Sequence, residues 1–333
     1  MTRLRRRRLL ACIQRMQGAR VLVTGDYMLD KYVWGTVHRV SPEAPVPILV
    51  VDREEFRPGG AGNVAANVSA MGGTAMSLGL RGDDPEGATL REVLLARGIK
   101  ADGLIVGEGR DTTVKCRIVA HSQQLVRMDR ESTSAASTRD QERLLETARA
   151  RMGEADALIM EDYNKGVLTP RVIETLIQWS HERGIPVAVD PKLENFHSYR
   201  HVTLLKPNQS EVERFLGIAI RDENQLVAAG TTLRRRMHAD LLLITRGERG
   251  MTLFGPGRAI RHIPSKAREV YDVSGAGDTA VAVMALALAC GAHPWEAAYM
   301  ANAAAGICVS KIGTQPVSVA ELEHDVQQDE TLG

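Results

Sequence analysis

Short apolar runs of strand length alternate with longer stretches of helical period along most of the chain, and this rhythm restricts the fold more than any other feature. Residues 19–25 (ARVLVTG), 74–80, 155–161, 186–190, 202–205 and 240–245 read as strands. Residues 63–71, 85–97, 141–152, 170–182, 210–216, 223–237 and 297–309 read as helices, with Pro170 in a first turn where its missing N–H costs nothing. Strands that are apolar on both faces need cover on both, and parallel strands need a crossover between them. Intervening helices meet both demands. The expected fold class is α/β, three layers around a mainly parallel central sheet. Aromatic residues are only 4% and glycines number 30, so the interior is aliphatic and the turns are tight.

Two stretches break the rhythm. Residues 32–57 hold short extended pieces and Pro42, Pro45 and Pro47; in residues 110–130, Val114, Cys116 and Ile118 alternate with Thr113, Lys115 and Arg117 before a turn near 121–123. Together they predict a small separate β-sheet, a lid over the carboxyl edge of the main sheet, where ligands bind in such folds. The expected organisation is a basic N-terminal extension at 1–18, one domain at 19–317 carrying the lid, and a C-terminal tail at 318–333.

Of 42 Lys and Arg residues, five lie within the first eight positions, which leaves 37 against 41 Asp and Glu. Positive charge confined to a terminus reads as a solvated, frayed end, so neither nucleic acid nor a membrane is an expected partner. Cys12, Cys116, Cys290 and Cys308 are far apart with no C-x-x-C pair, which suggests a reducing cytoplasm rather than a disulfide framework or zinc site. The longest apolar run, 279–290, falls well short of the roughly 20 residues a bilayer requires.

The segment Asp272-Val273-Ser274-Gly275-Ala276-Gly277-Asp278-Thr279 runs from a glycine turn into an apolar helix. The N–H groups of Gly275, Ala276 and Gly277 can converge on an oxyanion, and the helix dipole adds partial positive charge there. Asp278, in the first turn, could accept a proton from a hydroxyl while those groups hold the charge developing on a transferred phosphoryl. An ordinary helix start with a favourable Asp is the plain alternative. Gly59-Gly60-Ala61-Gly62-Asn63 opens another helix. It satisfies G-x-G-x-x-A, but lies too far behind the first strand for a dinucleotide turn, so Gly59, Gly60 and Asn63 are better suited to sugar hydroxyls. Asp26 and Asp30, near the end of the first strand, offer acceptors to a sugar or stabilise a turn. Asn208-Gln209-Ser210-Glu211 has capping-box spacing, and Glu211 could also orient Mg²⁺ through water. Thr245, Gly247 and Gly250 form a backbone-rich turn suited to a nucleotide or to a plain hairpin. Asp162, after another strand, could contact sugar or organise phosphate.

These residues in this order resemble the ribokinase-like (PfkB-type) carbohydrate kinases, whose late signature is similar to 272–278 and whose early one is similar to 59–63. The resemblance implies a ribokinase-like sandwich, ATP and Mg²⁺ as cofactors, Asp278 as catalytic base and 275–277 as anion hole. It further implies Asn208, Gln209, Ser210 and Glu211 beside Mg²⁺ and phosphates, and Thr245, Gly247, Gly250 and Asn302 at ATP. K⁺ is implied beside the anion hole, bounded by Asp272 and the Gly313 region, although Val273 stands where the family usually has Thr. The runs 25–32, 39–47 and 189–192 are most similar to the heptose 7-phosphate kinases of lipopolysaccharide-precursor synthesis. That similarity implies phosphorylation of the anomeric hydroxyl of a heptose 7-phosphate, a homodimer joined through the lid, and a stand-alone kinase. Lys165, Lys192 and Arg127 or Arg130 are the cations expected at the substrate's own phosphate.

Overall fold

A segment such as Val21-Leu22-Val23, withdrawn from water on both sides of its backbone, can lie only inside a sheet covered on both faces. In the computed structural model, which describes residues 2–329 apart from 122, 258, 268, 269 and 312, nine strands form that sheet. From edge to edge they are Ile260–Ile263, Met251–Phe254, Leu241–Thr245, Leu204–Leu205, Val187–Asp190, Ala157–Glu161, Arg20–Gly25, Thr74–Arg81 and Leu104–Val106. Neighbours are parallel except at the first two joints, where a hairpin makes them antiparallel. One face is covered by the helices Ala61–Ala70, Ala276–Ala289 and Pro294–Val309, the other by Thr138–Met152, Pro170–Arg183 and Glu223–Met237. The helix Ala276–Ala289 is apolar all round because it sits inside one of these layers, with every residue from Asp278 to Ala287 buried. No helix among the described residues is long and apolar enough to cross a membrane.

The second sheet has four strands in the order Pro47–Gly60, Tyr27–Val40, Thr113–Ala120, Gln123–Arg130. It is the expected lid, but it begins at Tyr27 rather than near 32, because only Asp26 separates its first strand from Arg20–Gly25 in the main sheet. The long strand pair Tyr27–Val40 and Pro47–Gly60 carries Asp30 at its root, where it meets the main sheet, and Gly60 hands the chain directly to the helix Ala61–Ala70. Gly60 sits at φ 55°, a backbone conformation that side chains disfavour.

The ends correct the sequence reading. The basic extension is not frayed: Thr2–Met16 is a helix whose Leu9, Cys12, Ile13 and Met16 are buried in the core. The tail forms the helix Val319–Gln328, started by a capping box from Ser318 and Glu321 and buried through Leu322 and Val326. Residues 330–333 of the expected tail lie outside the described residues.

Candidate active site

The turn before the helix Ala276–Ala289 places Gly275 at φ 82°, and a Cβ there would lie 2.8 Å from the Asn63 amide nitrogen. Glycine is therefore required both by backbone and by space. The first N–H groups of this helix have no carbonyl within it to bond; that of Ala276 reaches back to the Val273 carbonyl at 3.5 Å, and those of Gly277 and Asp278 lie at its positive end. One turn in, Asp278 is buried. Its Oδ2 accepts from Asn63 Nδ2 at 2.7 Å and its Oδ1 from the Tyr163 hydroxyl at 3.1 Å. Burial raises its pKa, and the charge of Asp190 adds to the rise against the opposing bond from Asn63. The two glycine turns of the sequence thus meet at one carboxylate, with Asn63 as the link.

Two more carboxylates from neighbouring strand ends complete a cluster that motif reading misses. One oxygen each of Glu161, Asp190 and Asp278 lie within 4.8 Å of one another. Glu161 is 1% exposed, its Oε2 has no hydrogen-bond partner among the described residues, and its pKa is raised well above the ordinary range by burial and by Asp190 and Asp278. Asp190 is held by Lys206 at 2.7 Å, and Lys206 is itself buried. Burial disfavours the Lys206 ammonium, yet the surrounding carboxylates, Asp190 foremost, raise its pKa. Hard oxygens converging in a buried space, one of them unpartnered, suit a divalent cation.

Glu211 is differently employed. The Asn208–Glu211 capping box is complete, with Glu211 Oε2 accepting from the Asn208 N–H at 2.8 Å and Oε1 from Lys192 at 2.7 Å. Ser210 donates to Asn208 Oδ1 at 2.8 Å, and Gln209 reaches Ile220 and Arg249. Burial opposes the Lys192 charge, while Asp190 and Glu211 outweigh it and raise the pKa. A direct bridge from Asn208 to Thr245 sets the Thr245–Gly250 turn beside this helix start; that turn closes the hairpin, with Gly247 and Gly250 both at positive φ. Asn302 is buried and donates to the Pro264 carbonyl at 2.8 Å, fastening the segment that follows the hairpin.

The residues expected at the sugar and its phosphate are engaged by partners within the protein. Asp26 accepts three backbone N–H groups, from Tyr163, Lys165 and Val167, and burial together with Asp162 pushes its pKa up to about 6. Asp162 is likewise committed, to Asn164 N, Asn195 and Tyr199. These two carboxylates hold the turn that presents Tyr163 to Asp278. Asp30 pairs with Arg117 at 2.7 Å through Oδ1, while its Oδ2 lies against Gly59. Asp272 accepts from Ser274 N at 2.9 Å and Gly313 N at 3.1 Å, joining the second glycine turn to the loop that Arg57 and Tyr32 of the lid press upon. Lys165 pairs with Glu131 at 2.8 Å. Arg127 and Arg130 are 51% and 61% exposed on the outer lid strand, paired with Asp129 and Glu86.

A three-layer parallel fold, a β-lid and a buried aspartate at a glycine-led helix start define a class, the carbohydrate kinases. The chain belongs to the pfkB family of carbohydrate kinases, whose profile it matches over residues 19–321, and it is an ATP-dependent sugar kinase. It is 43% identical over 330 residues to the bifunctional protein HldE of Citrifermentans bemidjiense, a match that covers 98% of this chain and 68% of that protein. It is 45% identical over 309 residues to HldE of Klebsiella pneumoniae subsp. pneumoniae, covering 93% and 64%. The chain thus spans about two thirds of the length of these relatives. Among solved structures, Escherichia coli phosphofructokinase-2 in complex with potassium aligns with TM-score 0.76 at 20% identity, over 93% of this chain and 98% of that one. Arabidopsis thaliana ribokinase with ribose and ATP gives 0.72 at 20%, over 94% and 100%. Both share the fold.

Proposed function

We propose that the chain transfers the γ-phosphoryl group of ATP to the anomeric hydroxyl of D-glycero-D-manno-heptose 7-phosphate, forming the β-1,7-bisphosphate on the route to ADP-heptose and lipopolysaccharide. The observation that carries the transfer is Asp278, buried at a helix start and aimed by Asn63 and Tyr163. The heptose phosphate rests on the HldE relatives and on the runs 25–32, 39–47 and 189–192.

In this reading the acceptor lies between Asp30, Gly59, Gly60 and Asn63 on one side and Asp278 on the other. Asp278 Oδ takes the proton of the attacking hydroxyl, and its raised pKa makes it a stronger base than an exposed carboxylate. The N–H groups of 275–277 stabilise the charge on the transferring phosphoryl, with Lys192 and Lys206 as fixed cations behind them. Glu161 and Asp190 would hold Mg²⁺, which supplies charge neutralisation at the phosphates. Glu211 contributes through Lys192, since both its oxygens are engaged. ATP would lie along Asn208, Thr245, Gly247, Gly250 and Asn302, and K⁺ beside Asp272. Two copies join through the lid, whose outer strand Gln123–Arg130 is exposed at every position.

Asp278→Asn keeps the size and the Asn63 contact but removes the base. Turnover should fall by at least about a thousandfold, with ATP affinity within a few-fold of wild type by titration calorimetry. Near-normal kcat in the Asp278→Asn enzyme sinks the assignment. Activity confined to ribose, fructose 1-phosphate or adenosine in a substrate panel keeps the mechanism and discards the heptose.

A further inference from the structure

Across the inner face of the lid, Arg57, Asp30, Lys115 and Asp129 lie in one cross-strand row, since each is the register partner of the next. Arg117, on the same strand as Lys115, is taken by Asp30. Lys115 bonds within the row, to Asp129, and also approaches Glu131 just beyond the end of the next strand. Its ammonium lies 3.2 Å from Asp129 and 3.6 Å from Glu131 Oε2. That same Glu131 oxygen lies 2.8 Å from the ammonium of Lys165. The two lysines come from different layers: Lys115 from the lid, Lys165 from the turn of the main sheet whose Tyr163 touches Asp278. Their side chains are 15% and 14% exposed, withdrawn from water but within its reach.

Two ammonium groups from separate layers aimed at one oxygen repel each other unless an anion stands between them. Glu131 is that anion here, and it sits in a loop without regular structure at 131–137. The loop is pinned at its far end by the Ala136 N–H on the Gly166 carbonyl and by Arg110 on the Ser134 and Lys165 carbonyls, so Glu131 can leave without unfastening it. A phosphate offers several oxygens and more charge than one carboxylate. Other cations of the site lie elsewhere: Lys192 and Lys206 with Glu211 and Asp190 at the transfer end, and Arg127 and Arg130, half or more exposed, on the outer lid strand.

We infer that Lys115 and Lys165 clamp the acceptor's own phosphate, with Glu131 keeping its place until the sugar phosphate enters. The inference rests on the sugar-phosphate kinase reading above and locates its specificity in the pairing of lid with sheet. Closing of the lid on a substrate then depends on a phosphate at the far end of the sugar from the attacked hydroxyl.

Steady-state kinetics with heptose 7-phosphate and with the same heptose lacking phosphate test it. Lys115→Met and Lys165→Met should each raise KM for the phosphorylated sugar about tenfold or more, the size of a lost charge-assisted bond. KM for ATP and the melting temperature should stay within about twofold of wild type or a degree or two, KM for the free heptose should rise far less than KM for the phosphorylated sugar, and Lys115→Arg should restore much of the loss. Glu131→Gln, which removes the competing charge, should lower KM for the phosphorylated sugar. Unchanged KM in both lysine variants, or an equal rise for both sugars, overturns the clamp; an unchanged or raised KM in Glu131→Gln overturns the placeholder. A wild-type enzyme that turns over other sugars but no sugar phosphate overturns the sugar-phosphate reading on which both rest, and leaves the kinase class standing.

Discussion

Carboxylates gathered in a dry space hold protons that they would release in water, and Glu161 is the extreme case in this molecule. Its folded-state pKa stands well above the ordinary 4.5, chiefly through burial. The sign follows from that direction. The folded state binds the proton more tightly than the unfolded chain, so the stabilisation is complete below the ordinary carboxylate range and is lost as pH rises through the folded-state value. Mg²⁺ held by Glu161 and Asp190, as proposed, would compete with that proton. Added Mg²⁺ should therefore raise the melting temperature by more at pH 8 than at pH 5, and Glu161→Gln should remove most of the difference. Calorimetry at the two pH values with and without the metal measures this; equal gains at both would place the ion elsewhere. No local pattern marks Glu161 or Lys206, and Asp190 stands out only as part of a run. They sit at or just after the ends of Ala157–Glu161, Leu204–Leu205 and Val187–Asp190, and only the strand order brings those ends together.

The helix Ala276–Ala289 shows how an element carries the site. Its apolar length buries it and so fixes its position; its first turn then needs a backbone that bends sharply toward Asn63. Gly275→Ala must force a left-handed backbone costing about 1–2 kcal/mol and must also push the Asn63 amide away from Asp278. We expect a fall in melting temperature of a few degrees but a loss in kcat of at least about tenfold, beyond what the stability change explains. A variant with full kcat would show that the turn at Gly275 tolerates displacement. This element is legible in the sequence because its pattern is local: two glycines, an acid, then an unbroken apolar run. The helix Glu223–Met237 is legible to the residue for a similar reason. The hairpin strands Met251–Phe254 and Ile260–Ile263 are not, since each is four residues long and the turn before them reads equally as a loop. At the N-terminus, the arginine run draws attention from Leu9, Cys12, Ile13 and Met16, whose spacing is that of one helical face.

At the scale of the molecule, the lid is the part that the main sheet does not stabilise by itself. It is four strands with a polar inner face over the site, and its last strand, Gln123–Arg130, leaves one edge without a neighbour among the described residues. Leu125, Val126 and Met128 on that strand are 44%, 47% and 53% exposed. An exposed apolar edge invites pairing, and a second copy of the same lid would cover both its side chains and its unpaired backbone groups. Such a dimer also bears on catalysis, because Arg117 and Lys115 lie one strand in from this edge and their positions depend on how firmly it is held. Replacing Val126 and Met128 together by Asp should convert the proposed lid dimer to a monomer in sedimentation velocity. The melting temperature of the main domain should move little, because neither side chain enters either core. KM for the acceptor should rise while KM for ATP holds, since the residues proposed at the nucleotide lie in the main domain and not in the lid. A variant that stays dimeric would place the interface elsewhere; one that becomes monomeric with unchanged acceptor KM would separate assembly from lid closure.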